Sequence, residues 1–415
     1  MIGLMDCNNF FVSCERLFRP DLKKRPVLVL SSNDGCVVAR SQETKDMGIP
    51  MGIPYFEVKE LCKKEKVTLF SSNFALYRDI SRRVMGALRS EFDTCEVYSV
   101  DEAFFEIVDE TTETELMEIR ARIMQKTGIP VSIGIAATKT LAKVANGVAK
   151  KGTGVCILTE GMWNDLQNEL SCGSVWGIGR QTAASLSKMK IYTVGDFLAQ
   201  DRAFIRQSLG VVGERLLLEL SGTRVYTRGD QEETEQESYM STRSFGKAIY
   251  EKSVIESALG YHCAQLGEKL RRDGNYASRM TVIARASRHG TFSHRTSFVS
   301  AELEIPTSDT TSLIKQAVAL FDRMYDVEIP YKKAGIVLKG IKPEGSVSGQ
   351  LFSDTTHSEK RRKVDEITDQ LSTRFGKQMV HSTIILGKEK WQGAHINISD
   401  AYTTRWSEIA TVKAM

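Results

Sequence analysis

A chain of 415 residues, 41% hydrophobic and 26% charged, is too long for a single core and ordinary for a folded protein, so roughly two to four domains are expected. A net charge of +4 permits a polyanionic partner without requiring one; no apolar run reaches bilayer-spanning length, and the start Met1-Ile2-Gly3-Leu4-Met5-Asp6 carries no basic leader. The eight cysteines are scattered with no CxxC pair, which argues against a disulfide framework or a zinc site and favours a reduced, cytoplasmic protein.

The first strand runs through Ile2-Gly3-Leu4-Met5 to Asp6, ahead of the aromatic pair Phe10-Phe11. Apolar runs at 26–30 and 36–39 flank Asn33-Asp34-Gly35 and predict a hairpin. A short helix is expected at 42–46, ended by Gly48 and Pro50. Ile80, Val84, Leu88 and Phe92 recur every fourth residue and predict a helix over 77–92. Two strands are expected within 96–108, meeting near Val100-Asp101-Glu102-Ala103, then a helix over 113–126 and a strand over 130–135. Residues 163–223 read as helices with short loops, and the acidic run 229–237 as a solvated linker. A second unit of strands and helices spans about 239–342, and a helix is expected at 359–375 with Val364, Ile367, Leu371 and Phe375 on one face, suited to a partner or to self-packing. The fold class is therefore α+β and multidomain.

Three acids stand out. Asp6 ends the first strand, and Asp101 and Glu102 are adjacent in Tyr98-Ser99-Val100-Asp101-Glu102-Ala103-Phe104, apolar on both sides. Neighbouring ionised carboxylates in such a setting repel unless a cation offsets them, and hard oxygen ligands favour magnesium. Two such ions would supply what phosphoryl transfer needs. A bare Asp-Glu pair more often decorates a solvated turn; the apolar flanks weigh against that here.

The segment around Asp101-Glu102, with Met5-Asp6-Cys7-Asn8-Asn9-Phe10-Phe11 and with Gly134-Ile135-Ala136 and its lysine helix, resembles the catalytic motifs of the Y-family translesion DNA polymerases, in their bacterial UmuC-type branch. The resemblance runs through nearly the whole chain. It implies a right-hand polymerase with palm (1–11 and 74–166), fingers (12–73), a thumb with a helix-hairpin-helix (167–237), a little finger (238–342) and a C-terminal extension for partner contacts (343–415). It implies that Asp6, Asp101 and Glu102 bind two Mg²⁺ ions with the backbone carbonyl of Cys7 as a further ligand. The nucleotide pocket would use Phe10, Phe11, Lys45 and Lys150. Phe11 falls where the family places a ring against the ribose 2′-hydroxyl and close relatives mostly carry Tyr; Lys45 falls where an Arg usually meets the triphosphate, and Gln42 where a Tyr is common.

Between Thr138 and Lys151, Leu141, Val144, Ala145 and Val148 make an apolar helix face while Lys139, Lys143, Asn146 and Lys150 make another. No acid occurs between Gly128 and Thr159, so Lys139 and Lys143 are candidate DNA contacts; a solvated face is the plain alternative. Val175-Trp176-Gly177-Ile178-Gly179-Arg180 reads as a tight turn between helices whose backbone, at Gly177 and Gly179, admits a DNA phosphate, and Leu209-Gly210-Val211-Val212-Gly213 is a candidate partner turn. In the little finger, Arg243, Lys247, Arg271, Arg272, Arg285 and Arg288 are candidate phosphate contacts. Ser348-Gly349-Gln350-Leu351-Phe352 sits where relatives carry a sliding-clamp peptide, of which only the final Leu-Phe matches. The resemblance further implies primer–template DNA and deoxyribonucleotides as substrates, and a UmuD′-type subunit and a RecA filament as partners, in the SOS response. A two-metal nuclease and a non-catalytic DNA-binding subunit are the rival readings; neither accounts for both an aromatic gate and an intact carboxylate trio.

Overall fold

The computed structural model describes residues 1–227, 236–287, 296–344, 355–375, 380, 382–385, 391, 393 and 395–411, with only the helical backbone of 355–359. Residues 229–235 of the acidic linker, Arg288 and the clamp-like peptide at 348–352 lie outside these residues. The chain divides into two compact units, one of Met1–Ser31, Gly35–Gln231 and Asn397–Met415, the other of Ser32–Asp34 and Glu232–Ile396. No described helix is long and apolar enough to cross a membrane.

The first unit holds β1 (Ile2–Cys7), then a small sheet of β2 (Val27–Leu30), β3 (Val37–Arg40) and β4 (Thr68–Ser71), then β5 (Cys95–Val97), β6 (Glu102–Glu106), β7 (Val131–Ala136) and β8 (Val155–Ile157). The main sheet has the order β5-β6-β1-β7-β8, antiparallel except for the β7–β8 pair. β1 is central and buried along its whole length, and its side chains alternate between two cores. Met5 and Cys7 join the core beneath the helices Phe74–Arg89 and Glu113–Thr127; Ile2 and Leu4 join the core beneath Lys139–Ala149. That last helix sits directly on the sheet because β7 carries Gly134 there: a Cβ at this position would overlap the backbone of Ala142, Ala145 and Asn146.

The expected hairpin is the antiparallel β2–β3 pair, but β4 adds in parallel beside β2. The helix expected over 77–92 starts earlier, at Phe74, because the Asn73 side chain accepts from the Leu76 N–H and caps it. The predicted helix over 113–126 is Glu113–Thr127, opened by a Thr112–Glu115 capping box and ended by Gly128 at φ +71°.

The second unit contains β9 (Ser238–Ile249), β10 (Asn275–Ala286), β11 (Thr296–Thr307) and β12 (Tyr331–Pro343), an antiparallel sheet ordered β11-β10-β12-β9. The helices Lys252–Arg272 and Thr310–Asp322 bury their apolar faces on it, around Phe245, Leu259, Met280, Phe321 and Ile336. The helix Thr355–Phe375 is present, yet it packs through its acidic side: Arg271 pairs with Asp365 and Asp369, while Val364, Ile367 and Phe375 are exposed. Arg271 is therefore committed inside its own unit and is not a phosphate contact.

Candidate active site

Asp6 follows Leu4 on the same face of β1, so it points to the side covered by the helix Lys139–Ala149. On β6, Glu102 is paired across the ladder with Asp6, and Phe104 with Leu4, which puts the Glu102 carboxyl on that side as well. On β5, Glu96 is paired with Phe104 and shares the face. Each acid meets one lysine of the helix or its C-cap: Lys150 Nζ lies 2.6 Å from Asp6 Oδ2, Lys143 Nζ 2.7 Å from Glu102 Oε2, and Lys139 Nζ 2.7 Å from Glu96 Oε2.

Asp101 sits in the turn before β6, held by Ser99: the Ser99 hydroxyl donates to Asp101 Oδ1 at 2.6 Å and accepts from the backbone N–H groups of Asp101 and Glu102. The turn is tied to β1 by the Cys7 N–H, which donates to the Asp101 carbonyl at 2.8 Å. Asp6 is 7% exposed, and burial pushes its carboxyl up to about 7, with Lys150 pulling the other way and Glu102 adding to the rise. Burial also holds the Cys7 thiol protonated, well above its ordinary range, which leaves the carbonyl as that residue's hard donor. Among the described residues no three Asp, Glu, His or Cys side chains converge at metal-ligand spacing; the two pairing lysines and Ser99 occupy the carboxylates instead. By donor type, three carboxylates and a carbonyl fit a hard divalent cation.

Asn9 takes a left-handed conformation (φ 49°), an accessible one for Asn, and turns the chain straight from β1 into the helix Phe10–Phe18. Phe11 emerges half-buried and stacks on Tyr77 at 4.4 Å and 15°, with Phe74 edge-on at 5.9 Å. Phe10 is only 4% exposed and belongs to the core, so its assignment to the nucleotide is withdrawn.

Lys45 is exposed on the helix Gln42–Asp46, and burial, then nearby Arg40 and Lys150, lower its ammonium below the usual range. Arg40, at the end of β3, thus belongs to a basic group with Lys45 and Lys150. The sequence reading missed it, although a lone Arg closing an otherwise apolar strand was the available signal.

Lys139 and Lys143 are corrected as DNA contacts. Lys139 is 8% exposed and bound to Glu96, and the Lys143 ammonium is enclosed by Glu102 and the rings of Tyr98 and Trp176, 4.6 and 5.1 Å from their centres. Trp176 Nε1 in turn donates to the Tyr98 hydroxyl at 3.2 Å. The turn continues with Gly177 at φ +95° and with Gly179 capping the helix Arg180–Lys188 in extended backbone. A turn is present at the second glycine segment: Gly210, at φ 71°, breaks the run Arg202–Leu220 into two helices, and Arg202 and Arg206 grip Glu214 across the break. In the second unit Lys247 is exposed, Arg285 is half-buried, and Arg243 donates to His395 Nε2 at 2.9 Å. Arg272 is paired with its neighbour Asp273.

The model of the impB/mucB/samB family matches residues 5–147, that of the impB/mucB/samB family C-terminal domain matches 236–351, and that of a domain of unknown function matches 362–412. The chain is 34% identical to protein ImpB of Salmonella typhimurium over 99% of both chains. It is 35% identical to protein UmuC of Salmonella typhimurium over 100% of both, and 27% identical to DNA polymerase IV 1 of Bacillus subtilis over 95% of both. Among solved structures, a Y-family DNA polymerase chimera superposes with a TM-score of 0.67 at 21% identity, covering 83% of this chain and 100% of that one, a likeness of fold. End-to-end likeness at 34–35% identity, carried on a polymerase fold, places the chain in the impB/mucB/samB family as a UmuC-type Y-family DNA-directed DNA polymerase.

Proposed function

We propose that this polymerase adds deoxyribonucleotides to a primer 3′ end opposite damaged template, with low fidelity, in the cytoplasm during the SOS response. The observation that carries the reading is the cross-strand pairing of Asp6 with Glu102, next in chain to Asp101, with Lys150 and Lys143 countering two of the three carboxylates. Asp6, Asp101, Glu102 and the Cys7 carbonyl would hold two Mg²⁺ ions, whose bound charge would supply activation of the primer hydroxyl and a clamp on the triphosphate. Lys150, beside Asp6, faces charge that develops on the leaving phosphates, and Lys45 with Arg40 extends the same positive surface. Phe11, held flat against Tyr77, excludes a ribose 2′-hydroxyl by bulk.

The turn at Gly177–Gly179 and its partner at Gly210 offer backbone N–H groups to duplex phosphates, and Lys247, Arg243 and Arg285 supply charge from the second unit. In this reading the main sheet is the palm, the β2–β4 sheet the fingers, the helices from 167 on the thumb, and β9–β12 with their helices the little finger. A UmuD′-type subunit and a RecA filament are its proposed partners, as the UmuC likeness supports.

Primer extension across one abasic site, with Mg²⁺ and each deoxyribonucleotide, tests the reading. Insertion opposite the lesion supports it. Shortening of the primer would point to a nuclease, and an unchanged primer, with and without the two partners, to a DNA-binding subunit.

A further inference from the structure

The last described segment of the chain lies within the catalytic unit, against the two helices that carry the aromatic wall around Phe11. Ile398 pairs in parallel with Ser71 at the open edge of β4, where the Ser71 N–H donates to the Asn397 carbonyl at 2.9 Å and the Asn397 N–H to Ser71 Oγ at 3.1 Å. Asn73, the cap of the helix Phe74–Arg89, donates through Nδ2 to both the carbonyl and the hydroxyl of Ser399 at 3.1 Å. The Ser399 hydroxyl donates onward to Glu15 Oε1 at 3.1 Å, and the same oxygen accepts from the Tyr77 hydroxyl at 2.6 Å. Three residues on, Tyr402 stacks on Phe18 at 4.5 Å and 10°, gripping the far end of the helix that begins at Phe10.

Glu15 has no exposed surface, and its second oxygen has no partner among the described residues. A buried carboxylate is an expensive place to end a hydrogen-bond chain, so its two donors matter more than a surface pair would. One of them, Tyr77, is the ring on which Phe11 lies. The other belongs to residue 399, in a segment matched by a domain of unknown function.

We propose that residues 397–402 form a strap that completes the nucleotide pocket, with Ser399 and Glu15 as positioning residues that hold Tyr77, and through it Phe11, in register for sugar selection. The strap touches no nucleotide itself. It removes freedom from two helices whose relative placement sets how far the Phe11 ring stands into the space beside the sugar. The inference rests on reading Phe11 as the sugar gate.

The test is single-nucleotide insertion of a deoxyribonucleotide and the matching ribonucleotide by the full chain, as wild type, Ser399→Ala, Tyr402→Ala, Tyr402→Phe, Phe11→Ala and Phe11→Ala with Ser399→Ala. Ser399→Ala is expected to lower the deoxy-to-ribo ratio of kcat/KM about tenfold, the size of one lost hydrogen bond to a charged group. Deoxyribonucleotide kcat should stay within a few-fold of wild type. Tyr402→Phe keeps the stack and should keep the ratio, whereas Tyr402→Ala should lower it. In the double variant Ser399→Ala should add nothing beyond Phe11→Ala, since both act through one ring. Wild-type discrimination in Ser399→Ala and Tyr402→Ala, while Phe11→Ala loses it, overturns the strap and leaves the gate standing. Unchanged discrimination in Phe11→Ala overturns the gate and the strap with it. Equal loss with both sugars, and a lower melting temperature, reduces the strap to a structural tie.

Discussion

Lys150 Nζ stands 2.6 Å from Asp6 Oδ2, pairing a residue of the first strand with the C-cap of a helix more than a hundred residues away. The pair joins the strand that ends in the carboxylate to the helix whose lysines face it. Lys143 and Glu102 repeat the arrangement one strand over, at 2.7 Å.

The two lysines should separate by mutation. Lys150 is 41% exposed in its side chain and free to swing to a phosphate, whereas Lys143 is 15% exposed and enclosed by rings. Lys150→Ala should lower kcat/KM for nucleotide insertion about a hundredfold, the cost of one charge-stabilising donor, with primer–template affinity unchanged. Lys143→Ala should chiefly lower the melting temperature, by freeing Glu102 and the Tyr98–Trp176 contact. Equal kinetic losses in both, measured by single-turnover insertion, would contradict the division.

The turn at Gly177–Gly179 gives a second contrast. Gly177 sits at φ +95°, where any side chain is strained, so Gly177→Ala should cost about 1–2 kcal/mol of stability. Gly179 is extended with open space around its missing Cβ. Gly179→Ala should lower the melting temperature less than Gly177→Ala, by the cost of a poorer N-cap alone, and weaken primer–template binding, which should itself fall steeply with salt. Salt-independent affinity, or full affinity in Gly179→Ala, would remove this turn from the duplex interface.

His262 makes the second unit sensitive to acid. It is 2% exposed, and burial, then Arg243 and Lys333, push its imidazole down to about 4 from an ordinary 6.5. The unfolded chain therefore binds the proton more readily, so the contribution is intact above pH 6.5 and lost as pH falls through 4. The loss should approach about 3 kcal/mol. Urea unfolding of wild type and His262→Gln at pH 7 and pH 4.5 checks this: the variant should show a shallower decline, and parallel declines would refute it.

Much of this arrangement was legible in the chain. Asp6 at the end of the first strand and the Asp101-Glu102 pair amid apolar neighbours marked the carboxylates, because buried charge is rarely idle. The Lys139 and Lys143 misreading has a plain cause. Their acids, Glu96 and Glu102, lie 43 and 41 residues back, and a local search for counter-charges cannot see across a sheet. β4 is four residues long with Thr and Ser at its ends, too short for periodicity to register. The Ser399–Glu15 contact spans 384 residues and follows from no local pattern. In the helix Thr355–Phe375 the apolar spacing was real, but the ion pairs of Arg271 decided which side packs.

The central claim is that Asp101 and Glu102 are the chemistry of this polymerase, and single-nucleotide insertion with Mg²⁺ by wild type, Asp101→Ala and Glu102→Ala addresses it most directly. Each substitution should lower the insertion rate at least about a thousandfold, equivalent to about 4 kcal/mol of lost transition-state stabilisation, with primer–template affinity retained. Insertion within a few-fold of wild type by either variant would contradict the account.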